Sequence, residues 1–341
     1  MNKSVLNVIV TGAAGRIAYS LIPFLLDGSI WGNRKISLRL FDIESAAQKL
    51  EGIVMELLDS NFPNLHEVIG TIEPHEAFKD AHVAILLGGF PRLQNMERKD
   101  LIMKNAEGMM QQGEFLNQFA NPDVKVLVIA NPANTNCLVV KNAASKIPVS
   151  NFTCLTRLDQ ERLRGFLVVL LNEKFDNKIN SDDVKNVSIF GNHSVTQVPY
   201  FDAATVIIDK KQIPIKELIN EDRRNEIVSK VQNRGAAIIK ALQASSAMSA
   251  AVAIQKHLKD WLSETYVPNE TFSMGVFSDG NEYGIPDGLV YSFPCKRGSR
   301  SGDYSIVKGL NIDENVRLLL EKSSQELLEE RLEASSIVGN L

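Results

Sequence analysis

Nothing else in the chain narrows the choice of fold as much as Val5 to Phe24, V-L-N-V-I-V-T-G-A-A-G-R-I-A-Y-S-L-I-P-F. A short apolar run (Val5, Leu6, Val8, Ile9, Val10) ends in a glycine turn and passes at once into a helical pattern. Runs of this kind form buried parallel strands, and glycine permits the tight reversal into the helix. Gly12 and Gly15 leave backbone N–H groups uncovered at the helix N-terminus, where the macrodipole favours a pyrophosphate. Ala18 takes the third small position of the G-x-x-G-x-x-G spacing and still allows close helix–strand packing. By itself the pattern also fits a glycine turn in any α/β protein.

The next strand narrows that choice. Past a turn at Gly28 to Lys35, the apolar run Ile36-Ser-Leu-Arg-Leu-Phe ends in Asp42. A carboxylate at the tip of the second strand grips a ribose diol and repels a 2′-phosphate, so the expected cofactor is NAD rather than NADP. A strand-end cap is the plain alternative.

With 341 residues, the chain has room for about two domains and a full core. Apolar residues make up 44% and charged ones 23%, an ordinary globular composition. The net charge of −4 argues against nucleic acid or an anionic membrane as partner. Cys137, Cys154 and Cys295 have no C-x-x-C spacing and leave an odd thiol, which argues for a reducing compartment and against a metal site or disulfide frame. The first strand begins within a few residues and no apolar run nears membrane-spanning length, so a cytoplasmic chain without a targeting segment is expected.

Strands and helical patterns alternate through the first 150 residues, predicting a parallel sheet with right-handed crossovers. Helices are expected over 46–58 and 101–120, with strands at 83–87 and 124–130. Beyond that come a helical stretch from Leu155 to Phe175, a strand ending in Gly191-Asn-His-Ser, and a long helix from Glu221 to Leu262 interrupted by Gly235. Phe272 to Cys295 suggests antiparallel strands, and an acidic amphipathic helix, Glu314 to Leu332, closes the chain. The expected fold is α/β: a Rossmann-type doubly wound parallel sheet over residues 1–153, an α+β catalytic domain over 154–333, and a tail over 334–341.

Among the five histidines, His66, His75, His82 and His257 read as surface residues; His257 lies beside Lys256 and Lys259 on the polar side of a helix. His193 follows an apolar strand and a Gly-Asn turn, where strand ends face a crevice; a turn histidine bonded only to backbone is the alternative. Asp159 and Arg162 are three apart, so a helix puts them on one face. An isolated match of that kind is usually a surface ion pair. In the same half as His193, the carboxylate could instead fix an imidazole tautomer and leave the other nitrogen to shuttle a proton. Arg92 and Arg98 follow a nucleotide-domain strand. With Arg162 they offer three guanidinium forks, the number a C4 dicarboxylate such as malate or oxaloacetate requires.

Together T-G-A-A-G-R-I-A-Y-S-L, Asp42, M-E-R-K-D-L, N-P-A-N-T-N-C-L, L-T-R-L-D, G-N-H-S, R-G-A-A-I-I-K and S-S-A-M-S-A-A resemble the cytosolic malate dehydrogenases of the lactate/malate dehydrogenase superfamily. The likeness runs from Val8 to about Leu328. It implies acid–base catalysis by His193 with Asp159, and substrate binding by Arg92, Arg98, Asn131 and Arg162. Arg162 would hold the C1 carboxylate, Arg92 the distal one, and Arg98 would polarise the carbonyl. The implied NAD contacts are Gly12, Ala13, Ala14, Gly15, Arg16, Ile17 and Ala18, then Asp42, Asn105 and Gln112, then Ile129, Ala130 and Asn131. Ser245 and Ser246 fall near the nicotinamide, without indicating which points inward. A homodimer and no metal are also implied.

Leu93, Asn95 and Ala130 depart from the family pattern, replacing a basic residue and two glycines; loop motion and rate, rather than the reaction, are what they touch. Two other readings remain open: a dehydrogenase of monocarboxylic 2-hydroxy acids such as lactate, and an NAD-binding protein without catalysis.

Overall fold

The computed structural model describes residues 5–90, 98–175, 178–265, 270–339 and 341. Its first half alternates β1 (Leu6–Thr11), α1 (Arg16–Leu26), β2 (Ile36–Phe41), α2 (Ala47–Asp59), β3 (Leu65–Thr71) and α3 (Pro74–Phe78). It continues with β4 (Val83–Leu86), α4 (Arg98–Phe119), β5 (Lys125–Val128), α5 (Ala133–Ala143) and β6 (Phe152–Cys154). Pairing among these strands is parallel, in the order β3-β2-β1-β4-β5-β6. The apolar runs explain this. Val8 to Val10 and Val83 to Leu86 are buried whichever face they point to, which requires helices on both sides of the sheet. α1, α2 and α8 (Met248–Leu262) share one apolar cluster with the sheet, and α3, α4 and α5 another. The order reverses between β1 and β4, and ligands bind at the carboxyl ends of strands at such a point.

The second half adds α6 (Arg157–Asn172), β7 (Val184–Lys185), β8 (Ser188–Phe190), β9 (Val198–Tyr200), β10 (Thr205–Ile208) and β11 (Lys211–Pro214). After α7 (Glu221–Leu242) and α8 come β12 (Phe272–Phe277), β13 (Val290–Arg297), β14 (Tyr304–Ile306) and α9 (Glu314–Val338), which lies against α4 and α5. The antiparallel strands expected from residue 272 are present, but they are not a sheet apart. Gly275 of β12 pairs with Cys154 of β6, so β12, β13 and β14 extend the parallel sheet to nine strands among the described residues.

Two expectations need correction. The helix read over 221–262 is two helices, and Gly235 does not interrupt it. The break comes at Gln243, left-handed at φ 52, after which α8 restarts. A single interior glycine costs only about 1 kcal/mol, and its helical neighbours carry α7 through it. His257 is not a surface residue: it is 0% exposed, and its ring nitrogen lies 3.1 Å from the Thr153 hydroxyl. α8 is buried on most sides by α1, α6 and β12, so flanking lysines do not mark an outer face.

Candidate active site

At the nucleotide end, β1 hands the chain to Gly12 at φ +64; a Cβ there would lie 2.6 Å from Gly88 Cα. The ends of β1 and β4 therefore meet backbone to backbone, which only glycine permits. The Thr11 hydroxyl accepts the Gly88 N–H at 3.1 Å and donates to Gln112 Oε1 at 2.8 Å, so Gln112 of α4 locks this junction. α1 begins after Gly15 with no side-chain cap, leaving its first-turn N–H groups without a side-chain acceptor. Asp42, just past β2, accepts the N–H groups of Ala14 at 2.9 Å and Ile43 at 2.8 Å, which fixes its half-buried carboxylate beside the glycine turn. Ala13, Ala14 and Ala18 are buried, Ile17 is half-buried, and Gly15 and Arg16 are exposed. An uncapped helix N-terminus, a close glycine approach and a strand-tip carboxylate fit a dinucleotide such as NAD.

Asn105 is buried in α4 and joins this end to the next strand. Its Oδ1 accepts from Phe90 N–H at 2.6 Å, and its Nδ2 donates to Asn131 O at 3.0 Å. Ile129 and Ala130 are buried, while Asn131 is exposed where β5 gives way to α5.

The second half brings Asp159, Arg162 and His193 together. α6 presents Asp159 in its first turn at 0% exposure. β8 is followed by Gly191, at φ +99, whose backbone pairs with Ser292 of β13. A Cβ on Gly191 would come 2.4 Å from the Ser323 hydroxyl of α9, so the chain can turn here only through glycine. That turn aims His193 at α6, with Nδ1 2.5 Å from Asp159 Oδ2. The other carboxylate oxygen accepts from Arg162 at 3.0 Å, and Arg162 donates also to Ser246 Oγ at 3.3 Å. Burial alone would raise the Asp159 carboxyl, but the His193 imidazole and the Arg162 guanidinium outweigh it and hold the carboxyl below its ordinary value. The His193 side chain keeps 17% exposure, so a small molecule can reach the imidazole.

The Asp159–Arg162 spacing thus belongs to a buried pair, not a surface one. Of the two serines left undecided, Ser246 meets Arg162, while Ser245 is exposed. Arg92, Leu93 and Asn95 lie outside the described residues, as does the side chain of Arg98, the first residue of α4. Sequence reasoning missed Asn134, whose Oδ1 accepts the His193 N–H at 2.9 Å and whose Nδ2 donates to Val290 O at 2.9 Å. The run Asn131 to Asn136 contains it, but nothing in the spacing singles it out.

Two family models match most of the chain. One, described as the lactate/malate dehydrogenase NAD binding domain, covers residues 6–153; the other, the alpha/beta C-terminal domain of the same family, covers 156–337. The chain is 45% identical to "Malate dehydrogenase, cytoplasmic" from Zea mays, over 98% of this chain and 99% of that protein. The crystal structure of malate dehydrogenase from Naegleria fowleri superposes with a TM-score of 0.89 at 38% identity, covering 99% of this chain and 100% of that one. Trichomonas vaginalis lactate dehydrogenase in complex with NADH and oxamate gives 0.91 at 33% identity, covering 98% and 100%. Backbone likeness spans both activities.

Proposed function

The chain belongs to the lactate/malate dehydrogenase family and is an NAD-dependent oxidoreductase, and we propose that it interconverts (S)-malate and oxaloacetate through the site around His193. The observation that carries this reading is the buried Asp159 carboxylate held between the His193 imidazole and the Arg162 guanidinium.

The nicotinamide of NAD supplies the hydride acceptor or donor when bound. His193 takes the malate hydroxyl proton on the nitrogen away from Asp159 and returns it to the oxaloacetate carbonyl oxygen in the reverse direction. Asp159 fixes the imidazole tautomer and steadies the imidazolium, at about 1.4 kcal/mol for each pKa unit it adds. Arg162 uses single N–H groups on Asp159 and Ser246; a guanidinium has five, so donors remain for the C1 carboxylate. Arg92 holds the distal carboxylate, and Arg98 meets charge developing on the reacting oxygen. Asn131 touches substrate. The segment from Gly12 to Ala18, with Asp42, Asn105, Gln112, Ile129 and Ala130, holds NAD.

The protein works in the cytoplasm, the location named for the Zea mays relative. Among the described residues no helix is long and apolar enough to cross a membrane. A second copy of the chain completes a homodimer; Tyr19 on α1 and Met55 and Leu58 on α2 leave apolar surface that it could cover. The assay is oxidation of NADH on adding oxaloacetate. Turnover is expected, and NADH binding without turnover would place the chain among non-catalytic NAD-binding proteins.

A further inference from the structure

Behind the His193 turn lies a carboxylate that the chemistry above does not use. Glu330 projects from α9 and is 3% exposed. Its Oε1 accepts from Asn192 Nδ2 at 2.7 Å, in the residue just before His193, and its Oε2 accepts the hydroxyl of Thr135. Thr135 sits in the first turn of α5, four residues after Asn131 and directly after Asn134, which itself accepts the His193 N–H. The second donor of the Asn192 amide goes to Glu326 Oε2 at 2.8 Å, one turn earlier on α9. That oxygen also accepts from the hydroxyls of Ser194 and Thr196 at 2.5 and 2.6 Å. Ser323, another turn back, accepts the Asn192 N–H at 2.8 Å.

One helix face thus grips the chain on both sides of His193, and Glu330 also reaches the start of α5. We propose that Glu330 is a positioning residue: it ties the His193 turn to the start of α5 and so sets the separation between the proton-transferring imidazole and the hydride-transferring ring. This rests on the acid–base reading of His193. A carboxylate can accept from both partners at once. An amide in its place could keep both contacts, because a hydroxyl can also accept an N–H; an apolar side chain removes both acceptors and leaves one Asn192 amide N–H and the Thr135 hydroxyl unmatched.

The test compares the full-length protein with Glu330→Leu and Thr135→Val, and with Thr135→Ser as the conservative rescue. Steady-state oxaloacetate reduction is run with NADH and with NADH deuterated at the transferred position, and the low-field proton resonance of the His193–Asp159 hydrogen bond is recorded in the NADH complex. Glu330→Leu and Thr135→Val should lower kcat on the order of 100-fold, the penalty for about 1 Å of misplacement. KM for oxaloacetate should stay nearly unchanged, the deuterium isotope effect on kcat should rise, and the resonance should shift; Thr135→Ser should restore all of these. A loss matching only the fraction of unfolded protein, with isotope effect and resonance as in the parent, would overturn the proposal, as would an unchanged kcat. Parent protein that binds NADH but does not reduce oxaloacetate would instead refute the enzymatic reading, and the resonance would still report whether Glu330 positions the imidazole.

Discussion

Asp42 shows how much one side chain can decide. Its carboxylate is fixed by two backbone N–H groups beside the glycine turn, where it would bond a ribose diol and repel a 2′-phosphate. Asp42→Ser should therefore narrow the ratio of kcat/KM for NADH over NADPH by tenfold or more, about 1.4 kcal/mol per decade; an unchanged ratio would remove Asp42 from that role. Asp159→Asn keeps the shape of the proposed acid–base pair and removes the charge that would steady the imidazolium. It should lower kcat by about 10² to 10⁴, and a variant within a factor of a few of the parent would exclude the pairing. These residues were legible in the sequence because each stands at the end of an apolar strand or at helical spacing from a partner. His257 was not, because adjacent lysines look like a solvated face. Only the packing of α8 against β6 and α6 shows it buried.

At the scale of elements, α6 must hold Asp159 and Arg162 still, and a buried charge cluster docks it onto α8. Arg157 donates to Asp260 at 2.5 Å and to Glu161 at 2.8 Å, and Lys256 donates to Glu161 at 2.6 Å. Burial pushes the Asp260 carboxyl up even beside Arg157, so this ion pair is poorly compensated and depends on its partner. Arg157→Leu leaves the buried Asp260 carboxylate without that partner, beside half-buried Glu161, and should cost about 3–5 kcal/mol in chemical denaturation. A loss below about 1 kcal/mol would mean that the cluster behaves as a surface pair. The βαβ units could be read directly because β4 is one contiguous apolar run and β1 and β5 nearly are. The union of β6 with β12 could not, since it depends on a pairing between Cys154 and Gly275 that no local pattern encodes. Gln243 as the break between α7 and α8 has no glycine or proline to announce it, and Glu330 looks like any other acid in an acidic helix until α9 is laid against α5.

At the scale of the whole molecule, His257 and Glu161 bind protons less readily folded than unfolded, and acid stability should follow. Burial and then Arg157 push His257 down from 6.5 to about 3. The unfolded chain takes up this proton below 6.5 and the native state does not, so stability falls as pH drops through that window. At pH 4.5 this one residue removes about 2–3 kcal/mol. Glu161 adds to the loss lower down. Burial opposes its ionisation, but Arg157, Arg164 and Lys256 hold its carboxyl at about 2, against an ordinary 4.5, so its contribution is full above 4.5 and disappears toward 2. Tm should decline already between about pH 6.5 and 5, before carboxylates titrate, and His257→Gln should flatten that part of the curve; a level Tm across it in the parent would contradict the burial. In the proposed function, guanidinium groups from both halves of the chain meet one imidazole around a doubly anionic substrate. With NADH as donor, kcat/KM for oxaloacetate should exceed that for pyruvate by roughly 30-fold to several-thousand-fold if Arg92 takes the distal carboxylate as proposed, since a monocarboxylate would then leave that guanidinium without a partner at roughly 2–5 kcal/mol. Equal values for the two keto acids would contradict it.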